Sequence, residues 1–189
     1  WFKRARDCLG ILRFKSCIAP TILFNYSSID MNQKFKECLS EVYLGEQAGE
    51  MIFESMLAMA EDNNQRYIFS NMLQLETEGK AIMRPLLVKL GLPIEENKTL
   101  RDQGLEIAES FKEMSFKEQF ENIHQSVKNI YLPQYEELST LVDEEDLEAC
   151  FIANFMGEHE RSILLAAENI IQDKPNPVQP IRDLLRFPI

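Results

Sequence analysis

Apolar residues recur in alternating steps of four and three along three long stretches of the chain. The first stripe is Phe35, Leu39, Val42, Glu46, Gly49, Phe53, Met56 and Ala60, and the second is Phe69, Met72, Glu76, Gly79, Met83, Leu86 and Leu90. The last stripe is Ile152, Met156, His159, Ile163, Ala166 and Ile170. This period is that of an amphipathic α-helix with one face turned inward. Each stripe therefore predicts a long helix with one ionisable residue, Glu46, Glu76 or His159, on its buried face.

A further long helix is predicted from Ser115, where Ser115-Phe116-Lys117-Glu118 matches a capping box. Its buried face has two alternatives: Phe120, His124, Val127, Tyr131, Tyr135 and Leu138, or the slightly rotated set Phe116, Phe120, Ile123, Val127 and Ile130. A short helix from Thr99 to about Lys112 is expected before it. No strand alternation is sustained. The predicted fold is all-α: a four-helix up-down bundle with a long connection between the second and third long helices.

The two ends of the chain differ from the predicted bundle, residues 31–173. Residues 1–30 form a basic extension with five lysines and arginines against two aspartates. This extension is either a targeting segment or translated sequence upstream of a start at Met31, and the second interpretation is favoured. Residues 174–189 form a proline-rich tail, non-helical through Pro180, whose apolar end is expected to dock on the bundle.

Composition narrows the function classes. The chain has 189 residues, a net charge of -11 and a pI near 4.7, and this acidic charge disfavours nucleic acid and anionic membranes as partners. No apolar run is long enough to cross a bilayer. The four cysteines include no Cys-x-x-Cys pair, which favours reduced thiols in a cytoplasmic protein. No glycine-rich phosphate loop or nucleophile elbow is present.

A buried carboxylate needs a cation, a metal or a proton. Glu46, Glu76 and His159 are expected to converge at one level of the bundle, and two carboxylates with an imidazole suit iron, manganese or zinc. The weaker candidate ligands are Glu121, His124 and Glu160. Glu160, like Glu158, should project about 100° away from His159 and lie either behind the ligands or at the surface.

The same residues also allow an interpretation without metal. Glu46 and Glu76 would then pair with a cation in a buried network, and His159 would be a core histidine held by one of the two glutamates. The candidate cations are Arg161, Lys80 and Arg84. Polar residues beside the first stripe, Gln47 and Glu50 among them, are expected to be solvated, as is the pair Glu121 and His124.

Three short segments carry a family resemblance: Tyr43-Leu44-Gly45-Glu46-Gln47-Ala48, Leu75-Glu76-Thr77-Glu78-Gly79-Lys80-Ala81 and His159-Glu160. Over roughly residues 32–172 the chain resembles the ferritin-like superfamily, rubrerythrin-type bundles above all. The resemblance implies metal ligation by Glu46, Glu76 and His159. The chain departs from the family's ligand pattern at two of its positions. Gly79 stands where the second-helix histidine is expected, and Met156 stands where a bridging glutamate is expected. A heme-oxygenase-like bundle is the other fold option.

Two functions follow as hypotheses. In the first, the protein binds one iron or manganese through the Glu46, Glu76 and His159 cluster and supports redox or oxygenase-type chemistry. In the second, it is a non-catalytic, metal-free bundle that acts as an assembly or interaction module. The sequence assigns no substrate or reaction. Self-association is plausible for such a bundle, but no particular interface is indicated.

Overall fold

The computed structural model describes residues 28–189, with side chains from Gln33 onwards, and this part of the chain is helical without a β-strand. The helices are α1 (Ser28–Ala58), α2 (Asn63–Lys89), α3 (Lys98–Ser110), α4, α5 (Leu147–Ile171) and α6 (Gln179–Leu184). α4 runs without a break through Phe116–Ser126, the π-helical segment Val127–Tyr131 and Leu132–Leu141. The predicted all-α class is confirmed. The predicted basic extension, residues 1–30, lies outside the described residues except at 28–30.

Side-chain caps set the starts of α2, α3, α4 and α5. Ser115 closes the predicted capping box at the start of α4. Asp62, Asn97 and Asp146 each accept a hydrogen bond from the backbone N–H three residues further on, at the starts of α2, α3 and α5. Gly91 follows α2 with φ 71°, a left-handed conformation that ends a helix at little cost for glycine.

Two apolar cores lie on either side of a polar layer. The first core includes Phe53, Met72, Phe120 and Ile163. The second core includes Leu39, Met83, Leu138 and Met156. α1 and α5 pass from the second core to the first, whereas α2 and α4 pass from the first to the second. α2 and α4 therefore run in the same sense, and strict up-down alternation is not confirmed.

The π-helical segment accounts for the two buried faces predicted for α4. Before the segment, Ile123 is buried and follows the rotated face; after it, Tyr135 and Leu138 are buried and follow the other face. Val127, which both predicted faces share, is buried at the start of the segment. A π-helical turn contains one residue more than an α-helical turn, so the side chains that follow it are rotated by about 100° around the helix axis. Each predicted face therefore holds for one half of the helix, and Ile130 of the rotated face is exposed.

Buried groups fix α3 and the preceding loop to α1. Gln47 is fully buried; its Nε2 donates to the Glu95 carbonyl at 3.1 Å, and its Oε1 accepts from the Asn97 N–H at 2.7 Å. A Cβ on Gly104 would lie 2.6 Å from the Ala48 carbonyl oxygen, so α3 approaches α1 at a distance that only glycine allows. The expected solvation of Gln47 was wrong because this side chain binds the backbone of the connection.

The C-terminal tail packs on α2 and α5. Ile181 is fully buried in the first core. The buried carboxylate of Glu78 accepts backbone hydrogen bonds from Arg186 at 2.7 Å and Phe187 at 3.0 Å. Pro180, which was predicted to be non-helical, lies in the first turn of α6, where the missing N–H has no helical partner to lose.

No helix within residues 28–189 combines the length and the apolar character needed to cross a membrane. Cys38 and Cys150, the cysteines of this part of the chain, form no disulfide. Burial, reinforced by Glu137 and Glu41, raises the pKa of the Cys38 thiol to about 12. Cys38 is therefore an unreactive packing group in the second core.

Candidate metal centre

Ionisable side chains from α1, α2 and α5 meet in the layer between the two cores. Glu46 and His159 are fully buried, and Glu76 and Glu160 are nearly so. Nε2 of His159 lies 3.2 Å from Oε2 of Glu46 and 4.0 Å from Oε2 of Glu76. Potential ligand atoms of Glu46, His159 and Glu160 all lie within 4.8 Å of one another. The structure thus brings the three stripe residues together and adds Glu160; these four residues are called the central cluster below.

The outward orientation expected for Glu160 was wrong. Glu158 is exposed and accepts from Arg161 at 2.6 Å, whereas Glu160 is buried. α5 packs against α2, α4 and α6, so its buried surface is wider than the single stripe through His159. A residue 100° away on the helical wheel therefore still points into the interior.

Tyr135 on α4 holds the Glu46 carboxylate. Its hydroxyl donates to Oε1 of Glu46 at 2.7 Å, and its ring stacks with the imidazole of His159 at a centroid distance of 6.1 Å. Burial, reinforced by Glu46, raises the pKa of Tyr135 well above its usual value, so the hydroxyl keeps its proton. Sequence reasoning treated Tyr135 only as a core residue. Its polar hydroxyl on a buried face was the available signal.

Two glycines make room for the carboxylates. A Cβ on Gly49 would lie 2.6 Å from Oε2 of Glu76, and a Cβ on Gly79 would overlap the carboxylate of Glu46. On both α1 and α2 the glycine follows the glutamate by three residues, so each helix lays its carboxylate over the glycine of the other. This packing explains why glycine stands where the resemblance implies a histidine, because the Glu46 carboxylate fills that space.

No lysine or arginine of the described residues pairs with the central cluster. The cations suggested by the sequence pair elsewhere: Arg161 with Glu136 and Glu158, Lys80 with Glu50 and Glu96, and Arg84 with Glu96. Within the described part of the chain, Oε2 of Glu46, Oε2 of Glu160 and Nε2 of His159 have no hydrogen-bond partner, whereas the backbone of Leu75 lies beside the imidazole and opposes the lowering of the His159 pKa. Buried polar atoms nearly always have one. These unpartnered atoms therefore form a donor set into which a cation fits.

Burial favours the uncharged form of every member of the central cluster. It raises the pKa of Glu46, against the hydrogen bond from Tyr135, and that of Glu76, together with the neighbouring Glu46 carboxylate. It raises the pKa of Glu160 to about 8 and lowers that of His159 to about 3. His159 is therefore a neutral imidazole at neutral pH, the form that binds metals. A bound cation would take the place of the carboxyl protons.

The weaker candidates Glu121 and His124 lie on the first half of α4. Glu121 is exposed and His124 is half-buried. Neither residue belongs to the group of potential metal ligands that the described residues form, which is Glu46, His159 and Glu160. The two histidines of the chain are therefore in different settings, one at the centre and one near the surface.

The donor set fits a single ion better than two. One imidazole nitrogen and several carboxylate oxygens suit iron, manganese or zinc. Met156 is fully buried in the second core and brings no donor from the position where the resemblance implies a bridging glutamate. Comparisons of the chain with protein-family models, with curated proteins and with solved structures found no match.

Proposed function

We propose that the protein binds one iron or manganese ion in the central cluster. Glu46, His159 and Glu160 are the ligands, and Glu76 is a further carboxylate at the edge of the site. When bound, the ion supplies redox or oxygenase-type chemistry. The observation that carries the proposal is the set of buried, unpartnered donor atoms on three residues, with no lysine or arginine of the described residues paired to them.

The surrounding residues prepare this donor set. Tyr135 occupies Oε1 of Glu46 and leaves Oε2 for the ion. Gly79 of α2 leaves room for the carboxylate of Glu46, and Gly49 of α1 leaves room for the carboxylate of Glu76. Ligands held by their neighbours lose less freedom on binding, which supports affinity.

The fold proposed for this centre is a ferritin-like four-helix bundle formed by α1, α2, α4 and α5. α1 packs on α2 and on the second half of α4, and α5 packs on α2 and α4. α2 and α4 run in the same sense, so the connection between them returns along the length of the molecule. A bundle with one such crossover is the ferritin-like type, and this order supports it over simple alternation. A cytoplasmic location and self-association stay predictions.

The metal-free interaction module is the competing hypothesis. A lysine or arginine within hydrogen-bond reach of Glu46 and Glu76 would favour it. Arg161, Lys80 and Arg84 instead pair with other glutamates. In that hypothesis the contact between Nε2 of His159 and Oε2 of Glu46, at 3.2 Å, and protonation of the carboxyls satisfy the cluster, so metal analysis separates the two.

The test is elemental analysis of untagged protein after reconstitution with Fe²⁺ or Mn²⁺ and desalting. We expect about one equivalent of metal in the unaltered protein and a loss of at least ten-fold in His159→Ala. His124→Ala is the matched control, because it removes the other histidine, which lies outside the central cluster, and it should retain the metal. Metal below a tenth of an equivalent in the unaltered protein, or equal loss in both variants, would refute the proposal.

A further inference from the structure

A cavity opens beside the central cluster, between α1, α3, α4 and α5. It contains about 860 Å³ of empty space, part of which is open solvent at its mouth. Most of its wall is apolar, with contributions from Ile52, Phe53, Ile107, Phe111, Ile123 and Ile163. Small-molecule sites are typically concave, largely apolar and equipped with a few polar groups.

The cavity borders the central cluster, because Glu76 and Glu160 are among its lining residues. Tyr131 and Tyr135 also line it, and Glu41, Ser126 and Gln134 are its other polar lining residues. The hydroxyl of Tyr135 is already bonded to Glu46. In the metal-free protein, Oε2 of Glu160 is buried and has no hydrogen-bond partner, so the lining offers a polar atom that a ligand can satisfy.

The lining also limits the charge of an occupant. It includes the carboxyl groups of Glu41, Glu76 and Glu160 but no lysine, arginine or histidine of the described residues. Glu41 is paired with Gln134 at 3.2 Å. The described lining holds no counter-charge for an anionic ligand, and a cationic ligand would compete with a bound ion for Glu76 and Glu160, so an uncharged molecule fits best.

Helix α3, in the connection between α2 and α4, forms one wall of the cavity. Leu100 and Ile107 of α3 line it, and the close approach of Gly104 to Ala48 presses this helix against α1. Gln47 fixes the loop before α3 through two hydrogen bonds to its backbone. The wall is thus held by specific contacts, which indicates a formed pocket and not a loose gap between helices.

We infer that this cavity binds an uncharged small molecule with an apolar body and one hydrogen-bonding group, which faces Glu160 and Glu76. Its role as the substrate site of the metal centre rests on the proposed function. Binding itself does not require the metal. The substrate class is therefore a hydrophobic alcohol, ketone or similar neutral compound.

The test uses the full chain, in chelator-treated and metal-loaded forms, with the uncharged fluorescent probe N-phenyl-1-naphthylamine. The probe should gain fluorescence on binding, and 1-octanol should displace it at a concentration at least ten-fold lower than octanoate or octylamine. Octanoate or octylamine competing as well as 1-octanol would overturn the assignment to a neutral ligand. No probe binding in either form would overturn the pocket itself.

Paired variants locate the binding site. Ile107→Trp fills the cavity from α3 and should weaken displacement by 1-octanol at least ten-fold. Leu105→Trp places the same side chain at an exposed position of α3 and should leave displacement unchanged. Ile123→Phe fills the cavity from α4 if Ile107→Trp does not fold by circular dichroism. Unchanged displacement in a folded cavity-filling variant would refute this location.

The two proposals fail separately. Metal binding without displacement by 1-octanol would leave the metal centre standing and refute the inferred ligand. Displacement by 1-octanol in a protein that takes up no metal would support the pocket and refute the proposed function. Glu160→Gln links them, because it removes a metal ligand and changes the group that faces the bound molecule, so it should lower both the metal content and the affinity for 1-octanol.

Discussion

Glutamates form both the central cluster and an ionic network beside it, which consists of Glu50, Glu96, Lys80 and Arg101. Only the glutamates of the network are paired with cations of the described residues. In the network, the Lys80 ammonium lies 2.6 Å from Glu50 and 2.7 Å from Glu96. Arg101 adds a contact of 3.0 Å to Glu50. In the central cluster, one turn away on both α1 and α2, the carboxylates of Glu46 and Glu76 pair with no lysine or arginine of the described residues.

The difference shows that burial and partners together decide the charge of a carboxyl group. Lys80, Thr77 and Arg101 outweigh burial and lower the pKa of Glu50. Burial dominates at Glu46, four residues earlier, and raises its pKa. The carboxylates of the network are therefore neutralised by cations of the chain itself, whereas those of the central cluster need bound protons or an added cation.

The largest effect is expected from removing Lys80, the buried cation of the network. Lys80→Met leaves Glu50 and Glu96 without their closest partner and should lower the free energy of unfolding by about 3 kcal/mol, the usual cost of breaking a buried ion pair. Urea unfolding followed by circular dichroism measures it. A loss below about 1 kcal/mol would mean that Arg101 alone sustains the network.

Two matched substitutions test the contrast directly. In chelator-treated protein, Glu46→Gln should raise the free energy of unfolding by about 1 kcal/mol, because the amide can accept from Tyr135 and donate to His159 without a buried charge. Glu50→Gln should lower it by about 1 to 2 kcal/mol, because Lys80 loses a charged partner. If both substitutions changed stability in the same direction, the two regions would not differ as described.

The pH dependence of the network has a defined sign. The pKa of Glu50 is lowered from 4.5 in the folded protein, so its ionised form stabilises the fold above pH 4.5, and this contribution is lost as the pH falls through the folded pKa. The stability difference between the unaltered protein and Glu50→Gln should therefore be constant near pH 7 and shrink below pH 4.5. Urea titrations at several pH values measure it. A difference that stays constant down to pH 3 would contradict this assignment.

The smallest expected effect compares two helical glycines. A Cβ on Gly157 would have only Arg161 Nη1 nearby, at 3.8 Å, so Gly157→Ala should raise the free energy of unfolding by about 0.5 to 1 kcal/mol through helix propensity. Gly79→Ala should lack this gain because the Cβ overlaps the Glu46 carboxylate, and it should also lower metal content. Equal stabilisation, with metal content unchanged in both, would show that Gly79 has no role in placing Glu46.

The sequence by itself determined the helices and the inward side of most of them. A period of four and three residues marks one face of a helix, and burial of that face is a local property of the pattern. It therefore placed Glu46, Glu76 and His159 in the interior. It also indicated the helical connection before α4 and the capping box at Ser115.

Only the tertiary structure decided which groups meet. The π-helical segment of α4 changes the phase of its buried face, which a pattern of constant period cannot show. Glu160 is buried by the width of the surface that α5 presents to its neighbours, and Tyr135 reaches Glu46 across 89 residues of sequence. Lys80 lies one turn from Glu76 yet pairs with Glu50. Distances between helices set these partners, and a periodic sequence carries no information about such distances.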